Sequence, residues 1–195
     1  MNIGRPLEFN PDQALETAMQ QFWSKGYEST SLQDLLNVMC LSKSSFYQTF
    51  KSKNQLFQRS IKNYQKMLTD DLLTQLDQAN SGKAFLETLF MNVANETSGK
   101  NARRGCLLMN TASEFAQSDV DIAKLVSNSL DDIFSIFEKA ILQAQHEGDI
   151  DKSSNAQDLA IYLVTNMSGL KNMVKAGADD KTIKRTVKII LATLN

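Results

Sequence analysis

Five lysines and one arginine of this chain lie in a segment without carboxylates, where they could bind an anionic group. Between Leu35 and Thr69 there is no Asp or Glu, although the whole chain carries a formal net charge of only −1. The cations of this window are Lys43, Lys51, Lys53, Arg59, Lys62 and Lys66. Attraction to phosphate depends on where cations lie rather than on overall charge, so the window favours a nucleic-acid backbone as partner. The alternative is a solvated basic face on a helical bundle.

Compact polar side chains accompany the first lysine of the window. A helix predicted at 43–50 would turn outward a set of donors, hydroxyls and one aromatic ring: Lys43, Ser44, Ser45, Tyr47 and Gln48. Such groups suit the reading of base edges in a major groove. Lys51 and Lys53 fall at the start of the next helix, where a cation opposes the helix dipole unless a phosphate lies close by. We include Ser42 in the predicted DNA-binding set.

The elements that must position these residues are all predicted to be helices. Pro6 and Pro11 are the only prolines, and no segment shows the alternation of a strand. Asn10, Ser31 or Thr30, and Gly26 supply helix-capping signals. We predict an all-α fold of about nine helices, at roughly 11–25, 32–39, 43–50, 53–78, 83–96, 105–116, 119–146, 155–175 and 179–195.

Short elements before residue 50 and long helices after it predict a small head and a larger body. Two short helices joined by a tight turn, with a helix before them, fit a helix-turn-helix. Its small core would contain Leu32, Leu35, Leu36, Met39, Leu41, Phe46 and Phe50. We therefore predict a DNA-binding domain at 1–50 and an effector-binding and dimerisation domain at 51–195.

The head resembles the DNA-binding domain of the TetR family of transcriptional regulators. The resemblance covers residues 4 to 65 and rests on Leu41-Ser42-Lys43-x-Ser45-Phe46-Tyr47-x-x-Phe50-x-Ser52-Lys53-x-x-Leu56-Phe57. Phe22-Trp23-x-x-x-Gly26-Tyr27 and the arm Gly4-Arg5-Pro6 match as well. Three positions depart from the family pattern. Cys40 stands where Gly is usual in the turn, Ser44 where Gly or Pro is common, and Asn54 where Glu is common.

The resemblance implies a role for each residue of the head. Thr30 and Ser31 would contact phosphate, as would Lys53. Lys43, Ser44 and Ser45 would approach bases, and Tyr47 would touch a phosphate or a thymine methyl group. Arg5 would reach the minor groove, with a disordered tail as the alternative. The function implied is a DNA-binding regulator, with repression as the family default, released from double-stranded operator DNA by a small-molecule effector.

The resemblance also implies a homodimer whose last two helices pair with their copies. The predicted interface comprises Leu159, Tyr162, Leu163, Asn166, Met167, Leu170, Ile183, Val187, Ile190, Leu191 and Leu194, and Met173 continues the stripe. The alternative is that these stripes face only the core of one chain.

The middle helices would hold an apolar or aromatic effector. Its candidate contacts are Tyr64, Met67, Leu68, Phe85, Leu89, Leu108, Met109, Phe115, Phe134, Phe137 and Asn166.

Cys106 is a candidate thiol sensor. The segment Arg103-Arg104-Gly105-Cys106-Leu107-Leu108 resembles the start of the sixth helix in one branch of the family. Two preceding arginines and a helix N-terminus would lower the pKa of the thiol and raise its reactivity. The alternative is a small buried hydrophobic residue, which is the usual state of a cysteine that forms no disulfide.

Other function classes lack sequence support. Two distant cysteines and the single His146 supply neither a disulfide framework nor an ordinary zinc site, and we expect no cofactor. No phosphate loop, nucleophile elbow or dinucleotide-binding glycines occur, so we predict that the chain is not an enzyme. A start that lacks a secretory signal and the absence of long apolar runs predict a cytoplasmic location without membrane spans. A helical protein-interaction adaptor remains as an alternative, although an adaptor has no need for the acid-free window.

Overall fold

The computed structural model describes residues 9–99, 102–115 and 119–194. Within these ranges it contains nine α-helices, three short 3₁₀ segments and no strand, which confirms the all-α prediction. The helices are α1 Pro11–Lys25, α2 Leu32–Val38, α3 Lys43–Phe50, α4 Lys53–Gln78, α5 Gly82–Asn95, α6 Leu107–Phe115, α7 Val120–Glu147, α8 Ala156–Lys175 and α9 Asp180–Leu191. The 3₁₀ segments at Glu96–Ser98, Ala102–Arg104 and Ala192–Leu194 were not predicted.

The chain divides after Tyr64 into two compact units. Helix α4 begins in the first unit and ends in the second. We predicted a domain boundary at residue 50, where the helix-turn-helix ends. This boundary separates the proposed DNA-binding function from the proposed effector-binding function, and it remains a prediction. No helix in the described ranges is long and apolar enough to cross a membrane.

Side-chain caps fix the helix boundaries of the first unit. The Asn10 side chain accepts hydrogen bonds from the backbone amides of Asp12 and Gln13, as a cap preceding Pro11 should. Ser31 and Asp34 form a reciprocal capping box at the start of α2. Gly26 ends α1 with a φ of 84°, a conformation that a glycine adopts without strain. These caps confirm the signals found in the sequence.

Aromatic side chains form the core of the first unit. The rings of Phe22 and Phe57 meet edge to face at 4.9 Å, and those of Phe46 and Phe50 lie 5.9 Å apart. All four side chains are almost completely buried. Their burial removes a large apolar area from water, and it fixes α3 against the rest of the unit through its inner face.

Helix α7 is central to the second unit, since α5, α6 and α8 all pack against it. At the start of α5, a Cβ on Gly82 would lie 2.1 Å from the Ala140 carbonyl oxygen and 2.8 Å from the Ala144 nitrogen. The Gly82 amide donates to the Glu147 carboxylate over 2.9 Å. Only glycine permits this approach of the two backbones.

Candidate nucleic-acid interface

Helix α3 presents one continuous polar strip. Lys43, Ser44, Tyr47 and Gln48 are exposed and follow helical spacing, whereas Phe46 and Phe50 on the opposite side are buried. The Tyr47 ring is 44% exposed and rests edge-on against Phe46 at 5.4 Å. The strip therefore has one cation, one hydroxyl, one amide and one phenol, all held on a helix that is anchored by its other face.

Ser42 starts α3 rather than projecting from it. Its Oγ accepts a hydrogen bond from the Ser45 amide at 3.1 Å and lies 2.9 Å from the Ser45 Oγ. Ser45 is only partly exposed. We keep both serines in the predicted DNA-binding set, although their hydroxyls are engaged in the cap of α3.

Two residues other than glycine with positive φ bracket α3. Cys40, in the turn before it, has a φ of 54°, so it adopts the left-handed conformation for which glycine is usual. Lys51, at the end of α3, has φ 66° and ψ −50°, and the Ser52 amide donates to the Phe50 carbonyl at 2.8 Å. These values describe a classic-type γ-turn, which is rare and strained. No sequence signal indicated it, because lysine has no preference for that conformation.

At the start of α4, a cation lies where the helix dipole disfavours positive charge. Ser52 accepts a hydrogen bond from the Gln55 amide at 3.1 Å, and Lys53 opens the helix. The Lys53 ammonium lies 4.0 Å from the centre of the Tyr27 ring. A cation–π contact of this kind offsets part of the unfavourable dipole. Tyr27 was missed as a site residue, because a contact between residues this far apart in the chain is visible only in the fold.

Arg59 is a second residue that the predicted site lacked. It is exposed, its guanidinium carbon lies 4.9 Å from the centre of the Phe50 ring, and it donates to the Thr49 carbonyl at 3.3 Å. These contacts hold a planar, permanently charged donor group beside the end of α3. Its place in the acid-free window was the signal that could have identified it.

The structure contradicts one predicted phosphate contact and weakens another. The Thr30 side chain is completely buried, and its hydroxyl donates to the Gly26 carbonyl at 2.6 Å, so it cannot donate to a phosphate. Ser31 is exposed, but its amide and hydroxyl both donate to Asp34. These hydrogen bonds hold the pKa of the Asp34 carboxyl below its usual range, so the carboxylate stays charged. Arg5 lies outside the described residues.

The predicted effector contacts are divided between the two units, and they differ in how far they are buried. Phe85 and Phe137 meet in the second unit with ring centres 6.5 Å apart. Leu108 and Phe115 are also buried, while Leu68, Leu89, Met109, Phe134 and Asn166 are partly exposed. Tyr64 belongs to the first unit, where its ring packs on Trp23 at 5.0 Å, and Met67 is 47% exposed. The Asn166 amide donates to the Tyr162 carbonyl of its own helix.

More than half of the predicted dimer contacts face the core of the single chain. Six of them are buried within it: Leu163, Leu170, Ile183, Val187, Ile190 and Leu194. Leu159, Tyr162, Asn166, Met167 and Leu191 keep some exposure. The exposed apolar side chains of α8 and α9 are Ile161 (45%), Tyr162 (37%), Met173 (50%) and Ile189 (71%). Ile161 and Ile189 were missed, because the apolar stripe in the sequence marks the buried face.

Cys106 lies in the second unit, in the segment that follows Arg103 and Arg104. It is half-buried and directly precedes α6, and its carbonyl accepts the Asn110 amide at 2.9 Å. The Asn110 side chain joins this segment to α8 by accepting a hydrogen bond from Lys175 at 2.6 Å and donating to the Arg104 carbonyl at 2.8 Å. The predicted thiol chemistry of Cys106 remains a prediction.

Two protein-family models match the chain. The model described as bacterial regulatory proteins, tetR family, matches residues 14–59. The model described as tetracyclin repressor-like, C-terminal domain, matches residues 82–190. The first match contains α2, α3 and the start of α4, and the second contains most of the other unit.

Known regulators and one solved structure resemble the chain over nearly its full length. An uncharacterised HTH-type transcriptional regulator, YezE of Bacillus subtilis, is 26% identical over 99% of this chain and 100% of its own. The HTH-type transcriptional repressor ComR of Escherichia coli is 27% identical over 98% of this chain and 90% of its own. A cysteine mutant of the regulator CifR, solved with 26-base-pair operator DNA, has a TM-score of 0.86 at 25% identity, covering 98% of this chain and all of its own.

Proposed function

The chain belongs to the TetR family of bacterial regulatory proteins, and from this premise we propose that it is a repressor that leaves its operator when a small-molecule effector binds. It is a DNA-binding regulator and not an enzyme. Repression is the activity given to ComR. Its place of action is the cytoplasm, where operator DNA is found.

The exposed strip of α3 is the observation that carries this proposal. Lys43, Ser44, Tyr47 and Gln48 lie on one side of a helix whose other side is fixed by buried phenylalanines. A side-chain set of this kind can donate to base edges and phosphates without reorganising the helix. Lys53 and Arg59, each held by an aromatic ring, add cations to the same unit for the sugar-phosphate backbone.

Useful affinity requires two such heads, so we propose that the active form is a homodimer. One helix-turn-helix contacts a half-site, and two half-sites one helical turn apart match a two-fold symmetric protein. The exposed apolar side chains of α8 and α9 are the surface on which two chains would meet. The predicted interface is revised accordingly to the partly exposed residues of α8 together with Ile161, Met173 and Ile189.

Release follows from a difference in affinity between two states. An effector shifts the equilibrium only if it binds the DNA-free arrangement more tightly than the DNA-bound one. Helix α4 is continuous from Lys53 to Gln78, so it joins the head to the proposed effector-binding unit without a break. We propose that effector binding displaces its C-terminal part and that the two heads then no longer fit successive major grooves.

We propose thiol modification of Cys106 as a second input. Cys106 is partly exposed and follows Arg103, Arg104 and Gly105 in the chain, and Gly105 lies against the aliphatic part of the Lys175 side chain. A partly exposed thiol is open to alkylation and oxidation. Treatment with N-ethylmaleimide should weaken operator binding by the chain and by Cys40→Ser, but not by Cys106→Ser. If Cys106→Ser remains equally sensitive, the sensor assignment is wrong.

A salt titration of operator binding tests the function. Fluorescence anisotropy with the duplex upstream of the chain's own gene, against a scrambled duplex, should give tight, sequence-preferring binding that weakens steeply with salt. Equal weak binding to both duplexes would place the operator elsewhere in the genome. No binding to either duplex at low salt would refute the helix-turn-helix function and favour a protein-interaction adaptor.

A further inference from the structure

The hydroxyl of Thr111 is buried in the second unit without a hydrogen-bond partner. Thr111 lies in the middle of α6 and is 1% exposed. Its Oγ1 is inaccessible to solvent and makes no hydrogen bond within the described structure. Burial of an unpaired hydroxyl destabilises a folded chain, so a group of this kind requires an explanation.

Two buried serine hydroxyls of the described residues are satisfied by their own helices, whereas the buried Thr49 hydroxyl of the first unit has, like that of Thr111, no hydrogen-bond partner. Ser129 of α7 donates to the Leu125 carbonyl at 2.8 Å, and Ser60 of α4 donates to the Leu56 carbonyl at 2.9 Å. The corresponding acceptor for Thr111 would be the Leu107 carbonyl, four residues earlier. Thr111 does not make that bond, so its hydroxyl is available to a group that is not part of its helix.

The other buried residues of the helix that carries Thr111 are apolar. Leu107, Leu108 and Phe115 are the other buried residues of α6, and α6 packs against α7. The buried residues of the second unit in the described ranges include no Asp, Glu, Lys, Arg or His, and the Nε of the partly exposed Arg104 is a buried guanidinium atom of this unit. A charged ligand group would lose its hydration there without gaining a counter-charge, which disfavours ionic ligands.

From these observations we propose that Thr111 is the hydrogen-bonding contact of the effector. The effector is then a neutral, mostly apolar or aromatic molecule with a hydroxyl or carbonyl group that pairs with Thr111 Oγ1. The inference rests on the proposed effector-released repressor and names the class of molecule that the body recognises. A site that presents a buried polar group rejects an analogue without the matching group, because that group is then left unpaired.

The test compares probes of similar size on the full-length protein bound to operator DNA. Benzyl alcohol and benzaldehyde carry the polar group, and toluene lacks it. We expect at least one of the two polar probes to release the operator at a concentration about tenfold below that of toluene. In Thr111→Val, which keeps the shape of the side chain, the difference should shrink to about threefold or less.

Two further variants separate ligand recognition from structure. Thr111→Ser keeps the hydroxyl and should retain a preference for the polar probe. Ser129→Ala removes a buried hydroxyl that already has a partner, and it should leave the preference unchanged. The free Thr111→Val protein should unfold about 2–4 °C higher, because no unpaired hydroxyl is then buried.

Three results would overturn the proposal. In the first, toluene releases the operator at the same concentration as the polar probes. In the second, none of the three probes releases it. In the third, the preference for the polar probes survives in Thr111→Val. A lowered melting temperature of Thr111→Val with an unchanged preference would show that the hydroxyl has a structural partner such as a buried water. A wild-type protein that fails to bind operator before any probe is added would instead refute the proposed function.

Discussion

At the residue scale, the cations of the head differ in how they are held. Lys43 lies on the exposed strip of α3, whereas Lys53 rests on the Tyr27 ring and Arg59 on the Phe50 ring. A side chain fixed on an aromatic ring loses less conformational freedom when it meets a phosphate. We therefore assign backbone positioning to Lys53 and Arg59, and base reading to the strip that contains Lys43.

The different roles assigned to Lys43 and Lys53 predict different results for two lysine variants. Lys43→Ala should reduce the preference for operator over scrambled duplex by roughly tenfold, since a base contact carries about 1–3 kcal/mol of discrimination. Lys53→Ala should weaken both duplexes alike and lower the slope of log K against log salt by about 0.9. Anisotropy at several salt concentrations measures both quantities. Lys124→Ala, exposed on α7, is the control and should change neither. Exchanged effects of the two head variants would refute the assignment.

The left-handed conformation of Cys40 predicts a gain in stability on substitution. Cys40 has a φ of 54°, which costs a residue with a side chain about 1–2 kcal/mol. Cys40→Gly removes this strain but adds freedom to the unfolded chain, so we expect a net gain of about 0.5–1 kcal/mol. Urea unfolding measures it. Ser44→Gly, in the first turn of α3, relieves no such strain and should not raise stability. A loss of stability in Cys40→Gly would contradict the strain argument.

At the element scale, the contact between α5 and α7 depends on one missing side chain. Gly82→Ala would place its Cβ within 2.1 Å of the Ala140 carbonyl oxygen, a backbone atom that cannot move alone. The helices must separate, which should destabilise the fold by about 1–3 kcal/mol or more. Thr88→Ala, on the exposed side of α5, should change stability by less than about 0.5 kcal/mol. Equal stabilities of the two variants, measured by urea unfolding, would show that the helices yield at little cost.

The sequence predicted the elements better than their contacts. Local signals set the helix ends, and Asn10, Ser31 and Gly26 act within a few residues of where they stand. The γ-turn at Lys51 has no such signal, because lysine has no preference for a positive φ. Likewise, the apolar stripes in the sequences of α8 and α9 identified buried faces. They did not show whether the same chain or a second copy covers each face. The unpaired hydroxyl of Thr111 depends on rotamer and packing, which a helical pattern leaves undetermined.

At the scale of the whole molecule, we expect the exposed apolar side chains of α8 and α9 to decide whether two heads act together. Ile189 is 71% exposed on α9, and Ile161 and Met173 are 45% and 50% exposed on α8. Gly169, between the two α8 residues, has open space at its Cβ position, so another helix can approach α8 closely there. Burial of these side chains against a second chain would contribute roughly 25 cal/mol for each Å² of apolar area. The gain in operator affinity then comes from linking two half-site contacts.

A charge introduced into this surface should separate dimerisation from folding. Ile189→Glu would bury a carboxylate against its own copy across the two-fold axis, so we expect dissociation at micromolar concentrations and loss of tight operator binding. Sedimentation velocity and anisotropy measure the two effects, and the melting temperature reports on the fold. Val120→Glu is the matched control, because Val120 is 84% exposed at the start of α7. If Ile189→Glu remains dimeric and binds operator as the control does, the chains meet elsewhere, and the exposed side chains of α8 and α9 need another partner.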